Sequence, residues 1–247
     1  MADSFYVTLP SNSSMDTHPN NTLSHFYVNL PTPLSFEGDW EVALAEVTYP
    51  HRWLNVMEGN LLACSAEEED SRFHFHRIPE GYYPTVEELL RNFEPPIEHG
   101  GLVRMKHNKF IQKVILKTGD RAILKFLGHL ANLLGFDDGT VVRGTAKSKR
   151  VVDVRPFYSL FIYSNIVEYH TVGDTRAPLL RIINVDGKYG ETVTKIFDSP
   201  HYMPLKHKLM DMIEIDIRDD TGKPIPFVSG RVIVKLHFRR KRPSYFN

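Results

Sequence analysis

The apolar positions of this chain recur mostly at a period of two. In "WEVALAEVTY" (40–49), Trp40, Val42 and Leu44 alternate with Glu41, Ala43 and Ala45, which predicts a strand with one buried face. "MIEIDIRDDTGKPIPF" puts Ile213, Ile215 and Ile217 on one face and ends in a turn, and "GRVIVKLHFR" (230–239) does the same with Val232, Val234, Leu236 and Phe238. "YSLFIYSN" (158–165) and "PLLRIINV" (178–185) are apolar enough to predict central strands. "NLLACS" and "RFHFHRI" predict shorter strands around an acidic turn, "AEEEDS" (66–71). "KFIQKVILKTGDRAILKF" predicts a hairpin turning at Thr118-Gly119-Asp120-Arg121.

One strand phrase is written twice. "FYVTLP" (5–10) and "FYVNLP" (26–31) agree at five of six letters, 21 residues apart. Phe5, Val7 and Leu9 share one face, as do Phe26, Val28 and Leu30, and each copy stops at a proline that cannot donate to a ladder. The polar, turn-rich "SNSSMDTHPNNTLSH" separates them. The first copy thus reads as an edge-type strand on a tether. It pairs either within its own chain or, as an arm, with the sheet edge of a neighbour.

Two segments change period. "PTVEELLRNF" has Thr85 and Glu88 at capping-box spacing, with Val86, Leu89, Leu90 and Phe93 on one helical face. "LGHLANLLGF" groups Leu127, Leu130, Ala131 and Leu134, with Gly135 suited to a C-cap. About ten strands and two short helices do not alternate as an α/β fold requires. The expected class is all-β: a single jelly-roll β-sandwich with two short helices in loops. No low-complexity linker interrupts residues 23–239. The expected organisation is an N-terminal arm over 1–20 and one domain over 21–247 ending in a basic tail.

Composition agrees with a folded globule: 42% hydrophobic and 11% aromatic residues. No apolar run reaches membrane-spanning length. The opening "MADSFYVTLPSNSS" has neither a basic n-region nor an apolar h-region, so no signal peptide is expected. With Cys64 as the single cysteine, no disulfide can form within the chain. Net charge is zero, but residues 41–98 hold twelve acids against four bases and residues 102–155 hold twelve bases against four acids. Such segregation can present complementary faces to copies of the chain.

The enzymatic signals are few. "HFHRIPEG" places His74 and His76 two apart on a predicted strand, with Glu80 four residues after His76. This H-x-H-x3-E spacing resembles the first metal motif of cupins, whose imidazoles and carboxylate leave open positions on a transition metal. The flanks depart from it: Glu68 and Glu87 stand where that motif has glycines, and its second half is missing. No nucleotide-binding, nucleophile-elbow or zinc-protease motif occurs. The reading is therefore not an enzyme, with no cofactor and no metal, and a cupin-like enzyme using His74, His76 and Glu80 as the alternative. A carbohydrate-binding module with Trp40, Trp53, Tyr82 and Tyr83 as platforms is a third. In "FRRKRPSYFN", Arg239, Arg240, Lys241 and Arg242 can meet nucleic-acid phosphates, or merely solubilise the terminus.

Longer stretches carry a resemblance. "FYVTLPSNSS" followed by "NTLSHFYVNLPTPLSFEGDWEVALAEVTYP" resembles the N-terminal signature of the minor capsid (penton) proteins of Polinton/Maverick elements, the virus-like self-synthesising transposons of eukaryotes. "GYYPTVEELL", "LANLLGF", "YSNIVEYHTVGDTRAPLLRII" and "IEIDIRDDTGKPIPFVSGRVIVKLHFRR" are similar in order along the chain. The resemblance implies a single jelly-roll protein forming homopentamers at five-fold vertices of a shell. It also implies a separate double jelly-roll major capsid protein as partner and a virion location after assembly inside a host cell. Read with the basic tail, packaged DNA is a further expected partner. No catalytic residue comes with it. Phe5, Val7 and Leu9 become the expected subunit-interface residues.

Overall fold

The computed structural model describes residues 3–57, 61–67, 73–92, 103–119 and 122–241, with the backbone alone for 61–67, 73–76 and 129. The chain opens with β1 (Ser4–Pro10), β2 (His25–Ser35) and β3 (Trp40–Pro50). There follow β4 (Leu61–Glu67), β5 (Phe73–Arg77), α1 (Val86–Arg91), β6 (Val103–Asn108), β7 (Lys113–Thr118), β8 (Ala122–Gly128), α2 (His129–Leu133), β9 (Val141–Arg143) and β10 (Thr145–Lys147). The last part holds β11 (Ser159–Ser164), β12 (His170–Val172), β13 (Thr175–Ala177), β14 (Leu179–Asn184), β15 (Thr192–Ile196), β16 (Met203–Pro204), β17 (Leu209–Arg218) and β18 (Ile233–Arg240).

Two compact units result: Met1–Trp53 with Phe157–Asn247, and Leu54–Pro156. The sequence predicts one domain over 21–247; the described residues bury two apolar clusters. One gathers Leu9, Phe26, Trp40, Ile215 and Phe238, the other Val56, Leu89, Leu116, Phe126 and Leu134. Apolar periodicity shows which face of a strand is buried but not which core receives it.

In the first unit eight strands form the paths of two antiparallel sheets, β1-β18-β3-β15 and β14-β11-β17-β2, and the short β16 adds to the first by pairing with β3. Of the eight taken in chain order, the first pairs with the eighth, the second with the seventh, the third with the sixth and the fourth with the fifth. This is one long antiparallel hairpin, rolled until β18 also meets β3 and β17 also meets β11. The unit is a jelly roll, and the protein is all-β as its alternation predicts. Ile213, Ile215 and Ile217 of β17 and Val234, Leu236 and Phe238 of β18 are fully buried on the inner faces.

Two details depart from simple alternation. The register of β18 on β3 shifts between Lys235 and Leu236. The buried set in β3 therefore moves from Trp40, Val42 and Leu44 to Val47 and Tyr49, as an extra residue in one strand requires. In addition, β11 is internal to its sheet, but β14, predicted central, lies at an edge with Ile182 exposed.

The second unit holds the sheets β5-β4-β8-β9 and β10-β7-β6 and both helices. The predicted β7–β8 hairpin does not form: β7 pairs with β6 and β10, whereas β8 pairs with β4 and β9. Val114 and Leu116 of β7 and Leu124 and Phe126 of β8 nevertheless enter the same core. Residues 120–121 of that predicted turn, and 68–71 of the acidic turn, lie outside the described residues. Thr85 caps α1 by accepting the Glu88 N–H at 3.2 Å, as the spacing predicts, while Phe93 lies outside the described residues. Leu127 belongs to β8, so α2 is shorter than predicted. Its end is as expected: the Phe136 N–H bonds the Ala131 carbonyl and the Gly135 N–H bonds that of Asn132, with Gly135 at φ +76°.

Candidate self-association surface

The expected interface residues Phe5, Val7 and Leu9 face their own core. Leu9 is fully buried, and Phe5 and Val7 pack partly buried against the same cluster. The Phe5 ring stacks on Phe238 and meets Phe36 and Trp40. Residues 4–10 are therefore the first strand of the roll and not a free arm. The open edge of β18 offered a backbone ladder, and three apolar side chains offered burial. Beyond them the connection is tied down as well: Asn21 donates to the Ser13 and Tyr27 carbonyls and accepts the Tyr27 N–H.

The side chains of β1 are thus committed, but its outer edge is open. The strand ends its sheet. The Arg240 N–H bonds the Asp3 carbonyl and the Ser11 N–H bonds the Val232 carbonyl. Odd-numbered residues therefore exchange hydrogen bonds with β18, and Ser4, Tyr6 and Thr8 aim their N–H and C=O groups outward. The Tyr6 side chain is 62% exposed.

Beside this edge lies a polar outer face. Tyr6 stacks on His237 at 4.5 Å, and the Tyr202 hydroxyl and His237 Nδ1 share a hydrogen bond of 2.7 Å. Burial, and then the nearby Arg239 charge, push the His237 imidazole below its ordinary pKa, favouring the neutral ring. The Arg239 guanidinium sits 3.3 Å from the Tyr202 ring centre, and its Nε donates to Glu41 Oε1 at 2.6 Å. Lys235 donates to Glu46 at 2.6 Å. These partners are far apart in sequence, so spacing could not reveal them. The one available signal was the alternation of β18, which sets His237 and Arg239 opposite Leu236 and Phe238.

The proposed nucleic-acid residues begin inside this strand. Arg239 is engaged by Glu41 and Tyr202, and Arg240 lies 4.0 Å from Asp3 and 5.8 Å from the Trp40 ring centre. Lys241 bonds the Asp39 carbonyl through its N–H and lines an open cleft of about 390 Å³. Lys206, His207 and Lys208 share that cleft with Asp39 and Glu168. Arg242 lies outside the described residues.

His74 and His76 fall on β5 in the second unit, opposite Ser65 and Ala63. The backbone sets them on one face of that strand; their side chains lie outside the described residues. Glu80 follows in the loop after β5 and is exposed. Among the described residues no three His, Cys, Asp or Glu side chains are grouped to hold a metal. The predicted metal spacing falls in the second unit, not in the jelly roll of the first, whose cupin likeness made it meaningful. Of the predicted carbohydrate platforms, Trp40, Trp53 and Tyr83 are buried, and Tyr82 is half-buried. Trp40, Trp53 and Tyr83 serve the cores.

No family model matches the chain, and no curated protein does. Among solved structures it is similar to the selenomethionine-labelled mavirus penton protein, at 11% identity and a TM-score of 0.49, covering 96% of this chain and 100% of that one.

Proposed function

We propose that this chain is a structural shell protein that works by self-association. In its specific form it is a minor capsid (penton) protein of the Polinton/Maverick kind. Five copies form a ring at each five-fold vertex, beside a double jelly-roll major capsid protein. The observation that carries this reading is the open edge of β1 on an otherwise complete jelly roll. An edge with outward N–H and C=O groups can add a strand or backbone segment from a neighbour. The resemblance of "FYVTLPSNSS" and its companion motifs supports the specific form.

Jelly rolls also serve lectins and cupins, so the fold alone does not choose. The lectin reading loses Trp40, Trp53 and Tyr83 to the cores, and the cupin reading loses the coincidence of motif and roll. In a ring the contact is heterologous, joining different faces of successive copies, and a stable one buries at least about 1,000 Å². The β1 edge and the adjoining Tyr6–His237–Arg239 face are one half of such a contact. On this reading, Lys241 and the residues after it are the part of the tail left for packaged DNA. Among the described residues no helix is long and apolar enough to cross a membrane.

Native mass spectrometry at high protein concentration and low salt tests the proposal, with a five-chain species as the expected result. A strictly monomeric or dimeric protein, giving no five-fold particles on co-expression with the major capsid protein, overturns it.

A further inference from the structure

The turn between β6 and β7 exposes what a folded chain ordinarily hides. Phe110 is 100% exposed and Ile111 44% exposed. Val151 is 61% exposed and is held near them, because the Val152 N–H bonds the Gln112 carbonyl at 2.9 Å. This tip is preformed. Asn108 Oδ1 accepts the Phe110 N–H at 3.0 Å, the Gln112 amide donates to the Lys109 carbonyl at 2.7 Å, and Gln112 sits at φ +51°. An exposed apolar cluster on a fixed turn has the character of an interaction site rather than of a loose loop.

Cations surround the tip. Lys109 and Lys149 stand beside it, and Lys113 donates from Nζ to the Lys149 carbonyl at 2.7 Å. Behind it, Val114 and Leu116 point into the core, so the other face of β10-β7-β6 is the outward one. On that face Arg104 stands opposite Lys117, and Lys106 and Lys147 flank Ile115. Like charges directly opposite one another destabilise a sheet. Two described carboxylates temper the cluster: Glu87 pairs with Lys109, and Asp137 pairs with Lys149 and Arg150. Arg104, Lys106, Lys113, Lys117 and Lys147 enter none of the described ion pairs.

We propose that this tip docks the protein on an anionic lipid surface. Phe110, Ile111 and Val151 enter the boundary between headgroups and acyl chains, while the lysines meet the headgroup anions. Each signal alone gives marginal, reversible binding, and the two together hold. A nucleic acid fits less well, because beside Phe110 the tip presents the aliphatic Ile111 and Val151, and the basic face carries Ile115, none of which offers a ring for bases to stack on. The inference stands apart from the shell reading and does not need the pentamer.

Flotation of the full chain with phosphatidylcholine vesicles, with and without phosphatidylserine, tests it. Retention is expected on the phosphatidylserine vesicles alone and should weaken with salt. It should fall about tenfold or more in Phe110→Ser/Ile111→Ser, and likewise in Lys106→Gln/Lys113→Gln/Lys147→Gln. Phe110 touches no core, so its replacement leaves the fold intact. Phe110→Trp adds a local readout: Trp40 and Trp53 are buried, so the exposed emission belongs to position 110 and should shift blue on anionic vesicles. No retention, retention indifferent to Phe110→Ser, or a lysine-dependent retention of duplex DNA in place of vesicles overturns the proposal.

Discussion

Phe5 and Phe238 stack with ring centres 5.1 Å apart and planes 5° from parallel, which fastens the first strand of the chain to the last. The ladder between β1 and β18 runs from Ser4–Arg239 to Pro10–Ile233. The jelly roll is closed by pairing between β1 and β18, and the first copy of the repeated phrase is one of its strands.

That closure predicts unequal effects within one strand. Leu9 is fully buried and Tyr6 is 62% exposed. Leu9→Ala should cost about 2–5 kcal/mol, and Tyr6→Ala about 0.5 kcal/mol or less, in denaturant unfolding of the monomer. If Leu9→Ala is as mild as Tyr6→Ala, β1 does not belong to the roll in solution.

Much of this was legible in the sequence, strand by strand. The alternations of 213–217 and 232–238 showed their buried faces because each strand stays in phase through its core contact. Thr85 announced its helix because capping is a local interaction. What failed was long-range. Residues 4–10 carry the same apolar face whether they pair with β18 or with a neighbour, so periodicity alone left both pairings open. Strands β7 and β8 look like a hairpin because they are adjacent, yet each satisfies its ladder elsewhere. The bulge in β3 arises from a register with β18 that no local pattern encodes. The surface residues escaped notice for the same reason: Glu41 meets Arg239, and Tyr202 meets His237, only after the roll closes.

The second unit has a testable stop at Gly135. Its φ of +76° is costly for any L side chain, and a Cβ there would lie 2.4 Å from the Arg150 carbonyl oxygen. Gly135→Ala should therefore destabilise this unit by about 1–3 kcal/mol or more. Both tryptophans, Trp40 and Trp53, lie in the first unit. Circular dichroism should thus begin to change at lower denaturant than tryptophan fluorescence. An unchanged dichroism midpoint would show that the turn tolerates a side chain.

Acid should also strike the second unit. The Glu87 carboxylate is held at about 2, below its ordinary 4.5, first by the hydrogen bond from its own backbone N–H and then by His107 at 3.1 Å, with Lys109 adding to both. A depressed carboxylate stabilises the fold fully above the unfolded value and loses that contribution as pH falls. The loss should run from about 4.5 down to about 2. Glu87→Gln should remove this part of the acid sensitivity, so thermal melts of the variant should fall less steeply than wild type across that window. Parallel curves would mean that Glu87 keeps its ordinary pKa in the folded state.

The last prediction concerns the open edge. Deleting residues 1–12 is not a clean test, because it removes Leu9 from the core together with the edge. Thr8→Pro separates the two. The Thr8 N–H points away from β18, so proline removes an outward donor and none from the internal ladder. Val7 before it is already extended, as a residue preceding proline must be. Monomer stability should therefore change by less than about 1 kcal/mol. Under conditions where wild type gives a five-chain species in native mass spectrometry, Thr8→Pro should reduce it sharply. Thr8→Ala, which keeps the N–H, should not. A ring equally populated in all three proteins would place the contact on another face and leave the shell reading standing. Absence of the ring in wild type as well, with no five-fold particles on co-expression with the major capsid protein, would remove the shell reading itself.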